Sequence, residues 1–321
     1  MANVTDFVGA QKVNRRNTMV LLAALTALAA LVGYVIGWLL ESEASNAVPL
    51  FSKGGVLVAG LLAVVSVGWS GLSLAFGDKM VLAMANAKEI EKSDAPQLYN
   101  VVEEMSIAAG VPMPRVMVLE TDALNAFATG TKPGKGTIAV TRGLLNSLNR
   151  DELQGVVGHE MGHIANLDTR YMTVVGVTVG LIALVASMIL RAMQWGSYSS
   201  SSSRGDRKGG SGGAAILIIV LLVVAVLAPL AAKAVQMAVS RQREYLADAT
   251  SVQFTRNPEG LISALQKLEA AAGKPFPGVS DATQHLFIVN PVRQMTAKTS
   301  ALMATHPDIE SRIARLRNLG A

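Results

Sequence analysis

Residues 156–168 read VVGHEMGHIANLD, and two of the chain's four histidines, His159 and His163, stand four apart in it with Glu160 directly after the first. On a helix, residues four apart share a face, so both imidazoles can point at one metal ion while Glu160 projects about 100° further round the axis. That geometry puts a carboxylate beside the ion rather than on it. A zinc ion held in this way polarises a carbonyl and lowers the pKa of its water, and the neighbouring carboxylate takes the proton and can return it to a leaving amine. Gly158 and Gly162 each cost roughly 1 kcal/mol in a helix relative to alanine, which predicts that another element approaches the motif closely there.

Hydrolytic zinc needs a third protein ligand and an open position. A histidine six residues beyond His163 would supply one in elongated versions of the motif, but Thr169 stands there. Downstream, REYLADAT (243–250) offers Glu244 and, four residues later on the same helical face, Asp248. Glu244 completes a His, His, Glu triad, and Asp248 can accept the ring N–H of a ligand histidine and fix its tautomer. Two histidines and a carboxylate also suit non-haem iron. Glu160 would be idle in an iron site, which favours zinc, one ion per chain. With no cysteine, thiolate ligands and disulfides are excluded. GTKPGKGT (130–137) is not a phosphate loop, because Thr129 and Gly136 occupy the required Gly and Ser/Thr positions, so no ATP site is expected.

The elements that must carry these residues lie in an apolar chain. Of 321 residues 51% are apolar and 16% charged, and the mean hydropathy is +0.39, far from a soluble average. The excess falls in four uncharged runs, about 19–40, 56–76, 172–190 and 214–232, each long enough to cross a bilayer as a helix. The expected organisation is therefore two N-terminal transmembrane helices within 1–76, and a first catalytic part, 77–171, that carries the HEMGH helix. A transmembrane hairpin over 172–232 with a flexible Ser/Gly loop at 196–213 follows, and then a second catalytic part, 233–321, with the third ligand.

A hairpin of two spans returns Glu244 to the side of the membrane that holds His159 and His163, as a shared ion requires. Lys12, Arg15 and Arg16 before the first span put the N-terminus in the cytoplasm, and the active site and C-terminus with it, although Arg204, Arg207 and Lys208 in the outer loop obey that rule less well. Basic residues beside membrane segments account for the net charge of +5 without nucleic acid.

Within 77–171, DKMVLAMANAKEI (78–90) and APQLYNVVEEMSIAAG (95–110) read as helices, the second ending at Gly110. RVMVLE, LNAFATG and GTIAVT read as short strands, and Asn149 or Asp151 caps the motif helix. The part after 233 reads as helices throughout. The fold class expected is mainly α with a small β-sheet.

NAFATG, GHEMGHIANLD, REYLADA and THPDIESRI, in that order around a pair of spans, resemble the HtpX-like membrane zinc metalloproteases, relatives of the CAAX prenyl protease type, over nearly the whole chain. The resemblance implies a gluzincin-type domain anchored in the cell inner membrane and active at its cytoplasmic face, with misfolded or damaged membrane proteins as substrates. It implies zinc ligands at His159, His163 and Glu244, a base at Glu160, a substrate-lining residue at Asn125, and His306 and Arg312 near the reaction centre. A prenyl-protein processing protease and a proteolytically inactive membrane scaffold are the alternatives. The long Ser/Gly loop departs from the family pattern.

Overall fold

A computed structural model describes residues 7–45, 51–178, 241–271, 288 and 307–319. His306, the Ser/Gly stretch, the fourth expected span and all but residues 172–178 of the third lie outside the described residues. The chain divides into two compact units, Met1–Thr18 with Ser73–Val177 and Val235–Ala321, and Met19–Leu72 with Thr178–Ala234.

Two helices, α1 (Phe7–Ser45) and α2 (Lys53–Met84), supply residues 19–45 and 53–72 of the second unit, where they pack through glycine. A Cβ on Gly33 would lie 2.7 Å from the Val58 carbonyl oxygen, and one on Gly37 would strike the Gly54 backbone, so the two backbones meet where small residues recur four apart. Thr26 and Ser66 share a hydrogen bond of 3.2 Å across the pair. The start of α2 is capped from α1: Glu41 accepts from Ser52 Oγ at 2.5 Å and the Gly54 N–H at 2.8 Å. Leu57, Leu61, Val64 and Val67 are exposed on the outer face. Residues Gly9–Ser42 and Lys53–Met84 are each long and apolar enough to cross a membrane.

The first unit contains a four-stranded sheet of β1 (Lys88–Glu89), β2 (Arg115–Leu119), β3 (Ala126–Thr129) and β4 (Thr137–Thr141), ordered β1-β2-β4-β3. β2 and β4 are parallel, and β1 and β3 pair antiparallel to them. Strands β2, β3 and β4 are buried almost throughout, which explains why each reads as an apolar run rather than an alternation. The helix expected over 78–90 is corrected: its first half continues α2, the chain turns at Asn86 (φ 51°), and Lys88–Glu89 pair with Val118 and Met117 as β1. Ion pairing of Arg115 Nη2 with Asp78 at 3.1 Å ties that end of α2 to β2.

Helix α3 (Pro96–Ala109) starts on a proline and ends at Gly110, whose φ of 65° is the left-handed conformation that glycine adopts without strain. After a short α4 (Arg142–Ser147), the motif helix α5 (Arg150–Ala165) begins with a capping box, Asn149 accepting from the Glu152 N–H and Glu152 from the Asn149 N–H, which settles the cap on Asn149. Residues 168–178 are again helical. Beyond them, α6 (Arg241–Thr255), α7 (Pro258–Ala270) and α8 (Ile309–Leu319) complete the unit. α5 is the hub, buried on nearly all sides between α3, α6, α7 and β3.

Candidate metal centre

Glycine sets how closely α6 lies on α5. A Cβ on Gly158 would come within 2.9 Å of Ser251 Oγ, which is itself held by donating to the Gly155 carbonyl at 2.7 Å, and one on Gly162 would meet Thr250 Cβ at 3.2 Å. The close approach expected at these two glycines is thus α6, the helix that carries Glu244 and Asp248.

His159, His163 and Glu244 converge, each offering one ligand atom, with these atoms within 4.8 Å of one another and all three residues buried. The two Nε2 atoms are 3.2 Å apart, and Glu244 Oε2 and Oε1 lie 3.6 Å from His159 Nε2 and His163 Nε2 respectively. The other nitrogen of each ring faces its own carboxylate, His159 Nδ1 to Asp248 at 2.9 Å and His163 Nδ1 to Asp168 at 3.1 Å. A carboxylate only accepts, so Nδ1 carries the proton in each ring and the Nε2 lone pairs turn inward. Two imidazole lone pairs and a carboxylate aimed at one buried point are a donor set for a cation. The residues therefore fit a divalent metal ion.

Arg312 closes the back of this cluster. Its Nε and Nη2 donate to the two oxygens of Asp248 at 2.9 and 2.6 Å, and its Nη1 donates to the Ile288 carbonyl at 3.2 Å. Nη2 lies 3.3 Å from His159 Nδ1, and Nη1 lies 3.9 Å from Glu244 Oε2. Glu160 is buried beside the histidines and accepts the backbone N–H of Ala128 on β3.

Charge follows this layout. Burial lowers the pKa of His159, and although the Asp248 hydrogen bond opposes it, the Arg312 charge adds to burial and the net shift is downward. Burial acts on His163 too, but the hydrogen bond to Asp168 and the charges of Glu244, Asp168 and Glu160 outweigh it and hold the ring up at about 9, so a cation bound at Nε2 would displace a proton there. Burial and the neighbouring Glu244 push Glu160 up to about 7 against the pull of His163 and Arg312. Asp248 is held well below the usual carboxylate range, burial being overcome by Arg312 and His159. The carboxylates favour positive charge at His163, while Arg312 serves Asp248.

Of the residues singled out in the sequence, His159, Glu160, His163, Glu244, Asp248 and Arg312 are brought together. Asn125, one residue ahead of β3, is buried and bonded to β4, its N–H donating to Thr141 Oγ1 and its carbonyl accepting the Thr141 N–H, both at 3.0 Å. Asp168 was missed. It stands in the quoted motif five residues after His163, past the end of α5, and reaches back because Leu167 takes a positive φ of 59°. No local pattern announces a left-handed leucine.

Residues 92–320 match the family model for peptidase family M48. The chain is 41% identical over 306 residues, 95% of its length and 97% of theirs, to proteins named protease HtpX homolog from Streptococcus agalactiae and Streptococcus pyogenes. A solved structure of Ste24p from S. mikatae is 18% identical with a TM-score of 0.39; the match covers 80% of this chain and 64% of that one. The HEMGH helix and Glu244 both fall inside the matched region, and the chain belongs to peptidase family M48 as an HtpX-like membrane metalloprotease.

Proposed function

We propose that the protein is a zinc-dependent endopeptidase that cleaves misfolded or damaged membrane proteins at a cytoplasmic active site. The observation that carries this reading is the convergence of His159, His163 and Glu244, with both Nδ1 atoms committed to carboxylates. These three residues would hold one Zn2+, which supplies Lewis acidity toward the scissile carbonyl and a water of lowered pKa. Glu160 takes a proton from the attacking water and delivers it to the leaving amine. Asp248 and Asp168 keep the two imidazoles in the tautomer that binds metal. Asn125 lines the substrate, and His306 and Arg312 belong near the reaction centre, Arg312 acting through Asp248.

The proposed setting is the cell inner membrane, crossed four times, at about 19–40, 56–76, 172–190 and 214–232, with both termini and the two catalytic parts in the cytoplasm. Two membrane-length helices and the flanking Lys12, Arg15 and Arg16 support it. Metal analysis of the purified protein beside a casein cleavage assay tests the reading. Stoichiometric zinc and cleavage abolished by chelation are expected, and full cleavage by metal-stripped protein would overturn it.

A further inference from the structure

The second carboxylate, Asp168, has a partner outside the HEMGH motif helix. Asn14, buried in the first turns of α1 and 154 residues away in sequence, donates from Nδ2 to Asp168 Oδ1 at 2.6 Å and to the Asn166 carbonyl at 3.0 Å. An amide nitrogen has two protons, and these two acceptors use both. They also fix which way the amide points, since its oxygen could bond neither acceptor. One turn earlier on α1, Gln11 Nε2 donates to the Ala165 carbonyl at 2.7 Å. Gln11 and Asn14 together satisfy carbonyls at the end of α5, where a helix leaves its last C=O groups without internal partners. Only Asn14 goes further and reaches the carboxylate.

The two histidines are therefore braced alike. His159 leans on Asp248, which is clamped on both oxygens by Arg312. His163 leans on Asp168 through Oδ2, and Oδ1 is held by Asn14. Arg243 Nε stands farther off, 3.5 Å from the same Oδ1. A carboxylate free to turn about its Cβ–Cγ bond would orient His163 less firmly, and the short bond from Asn14 prevents that turn.

We propose that Asn14 is a positioning residue for the metal ligand His163, acting through Asp168, so that the helical turns ahead of the apolar stretch at Met19 form part of the metal site. The inference rests on the metal-site reading above. It makes the start of the first helix a determinant of metal affinity as well as an anchor.

The test is Zn2+ affinity by chelator competition, with the visible spectrum of the Co2+-loaded protein as a report on ligand geometry, in full-length protein. Four proteins are compared: wild type, Asn14→Leu, Gln11→Leu and His163→Ala. Asn14→Leu is expected to weaken Zn2+ binding by about tenfold, the low end for changes outside the ligands themselves, and to shift the Co2+ spectrum. Gln11→Leu loses a helix-end bond but none to Asp168, and is expected to match wild type in both. Wild-type affinity and spectrum in Asn14→Leu would overturn the proposal. So would an equal loss in Gln11→Leu, because helix-end packing would then explain both. If Asn14→Leu does not fold, Asn14→Ala, which removes both donors and adds no bulk or charge, takes its place with the same expectation. His163→Ala keeps the two readings apart: unchanged Zn2+ binding there would remove the metal site itself, whereas lost binding there with normal binding in the Asn14 variant removes only the role of Asn14.

Discussion

Arg312 and Asp248 form a bidentate pair, Nε to Oδ2 at 2.9 Å and Nη2 to Oδ1 at 2.6 Å, with both residues buried. One carboxylate thereby links the C-terminal helix α8 to the ring of His159. Removing one member of a buried pair strands the other's charge and costs about 3–5 kcal/mol, whereas replacing both with apolar groups of similar volume is often neutral. Stability and metal binding should therefore separate. Arg312→Met is expected to lose several kcal/mol in thermal or denaturant melts and to bind Zn2+ more weakly. Arg312→Met combined with Asp248→Leu should recover most of the stability and none of the affinity. Recovery of both would mean that Asp248 does not orient His159.

Glu160 follows the proposed ligand His159 in sequence but bonds β3, accepting the Ala128 N–H. Glu160→Gln should leave zinc content near wild type and lower peptide hydrolysis by about 10²–10⁴, the usual worth of a general base. Zinc content and cleavage rate measured on one preparation check this, and wild-type cleavage by the variant would remove Glu160 from the mechanism.

Gly155 permits the contact between α5 and α7. A Cβ there would lie 2.6 Å from the Leu261 nitrogen and 2.8 Å from Leu261 Cα, both backbone atoms that cannot turn aside. Gly155→Ala is expected to cost about 1–3 kcal/mol through displaced helices. Gly162→Ala, whose nearest neighbour is Thr250 Cβ at 3.2 Å, should cost less, and comparing the two melting temperatures tests the ranking.

The parts of this site that follow local rules were legible in the sequence. His159 and His163 share a face because of helical spacing, and Asn149 with Glu152 announces the start of α5. The strands at 115–119, 126–129 and 137–141 stand out as apolar runs between turns. What could not be read is set at long range. Lys88–Glu89 is exposed and two residues long, so its identity as a strand comes from pairing with β2 alone. Asn14 looks like one more polar residue before an apolar run, and Asp168 like the end of a loop. Their roles exist only because α1 begins beside the end of α5.

Glu152 gives the first unit a titratable tie. Burial raises its pKa, but hydrogen bonds from Lys267 at 2.7 Å, Ser263 at 2.6 Å and the Asn149 N–H more than offset that and hold it below its ordinary 4.5. A carboxylate whose folded pKa is depressed contributes stability that is complete above the unfolded pKa and is lost as pH falls through the folded one. Wild type should therefore lose stability on acidification below about 4.5. Glu152→Gln should be less stable at pH 7 and flatter over that acid range. Parallel melting curves from neutral to acid pH show whether the two profiles converge, and parallel profiles would contradict the assignment.

The proposed topology can be tested because the native chain has no cysteine, so each introduced one is a clean reporter. Ile107 is 76% exposed on α3 and Phe51 is 68% exposed between α1 and α2, so both positions are open to reagent. Glu310 is exposed on α8. Ile107→Cys, Glu310→Cys, Phe51→Cys and Ser202→Cys in turn, treated in intact cells with a membrane-impermeant thiol reagent, should label only at 51 and 202. Permeabilised cells should label at all four. Ile107 and Glu310 belong to the same compact unit, so their agreement is required whatever the number of spans. Position 202 is the one that decides. If it is protected in intact cells like 107 while 51 labels, the segments at 172–190 and 214–232 do not both cross the bilayer. The protease would then be anchored by its two N-terminal helices alone, with His159, His163 and Glu244 still on one side and the chemistry proposed here unaffected.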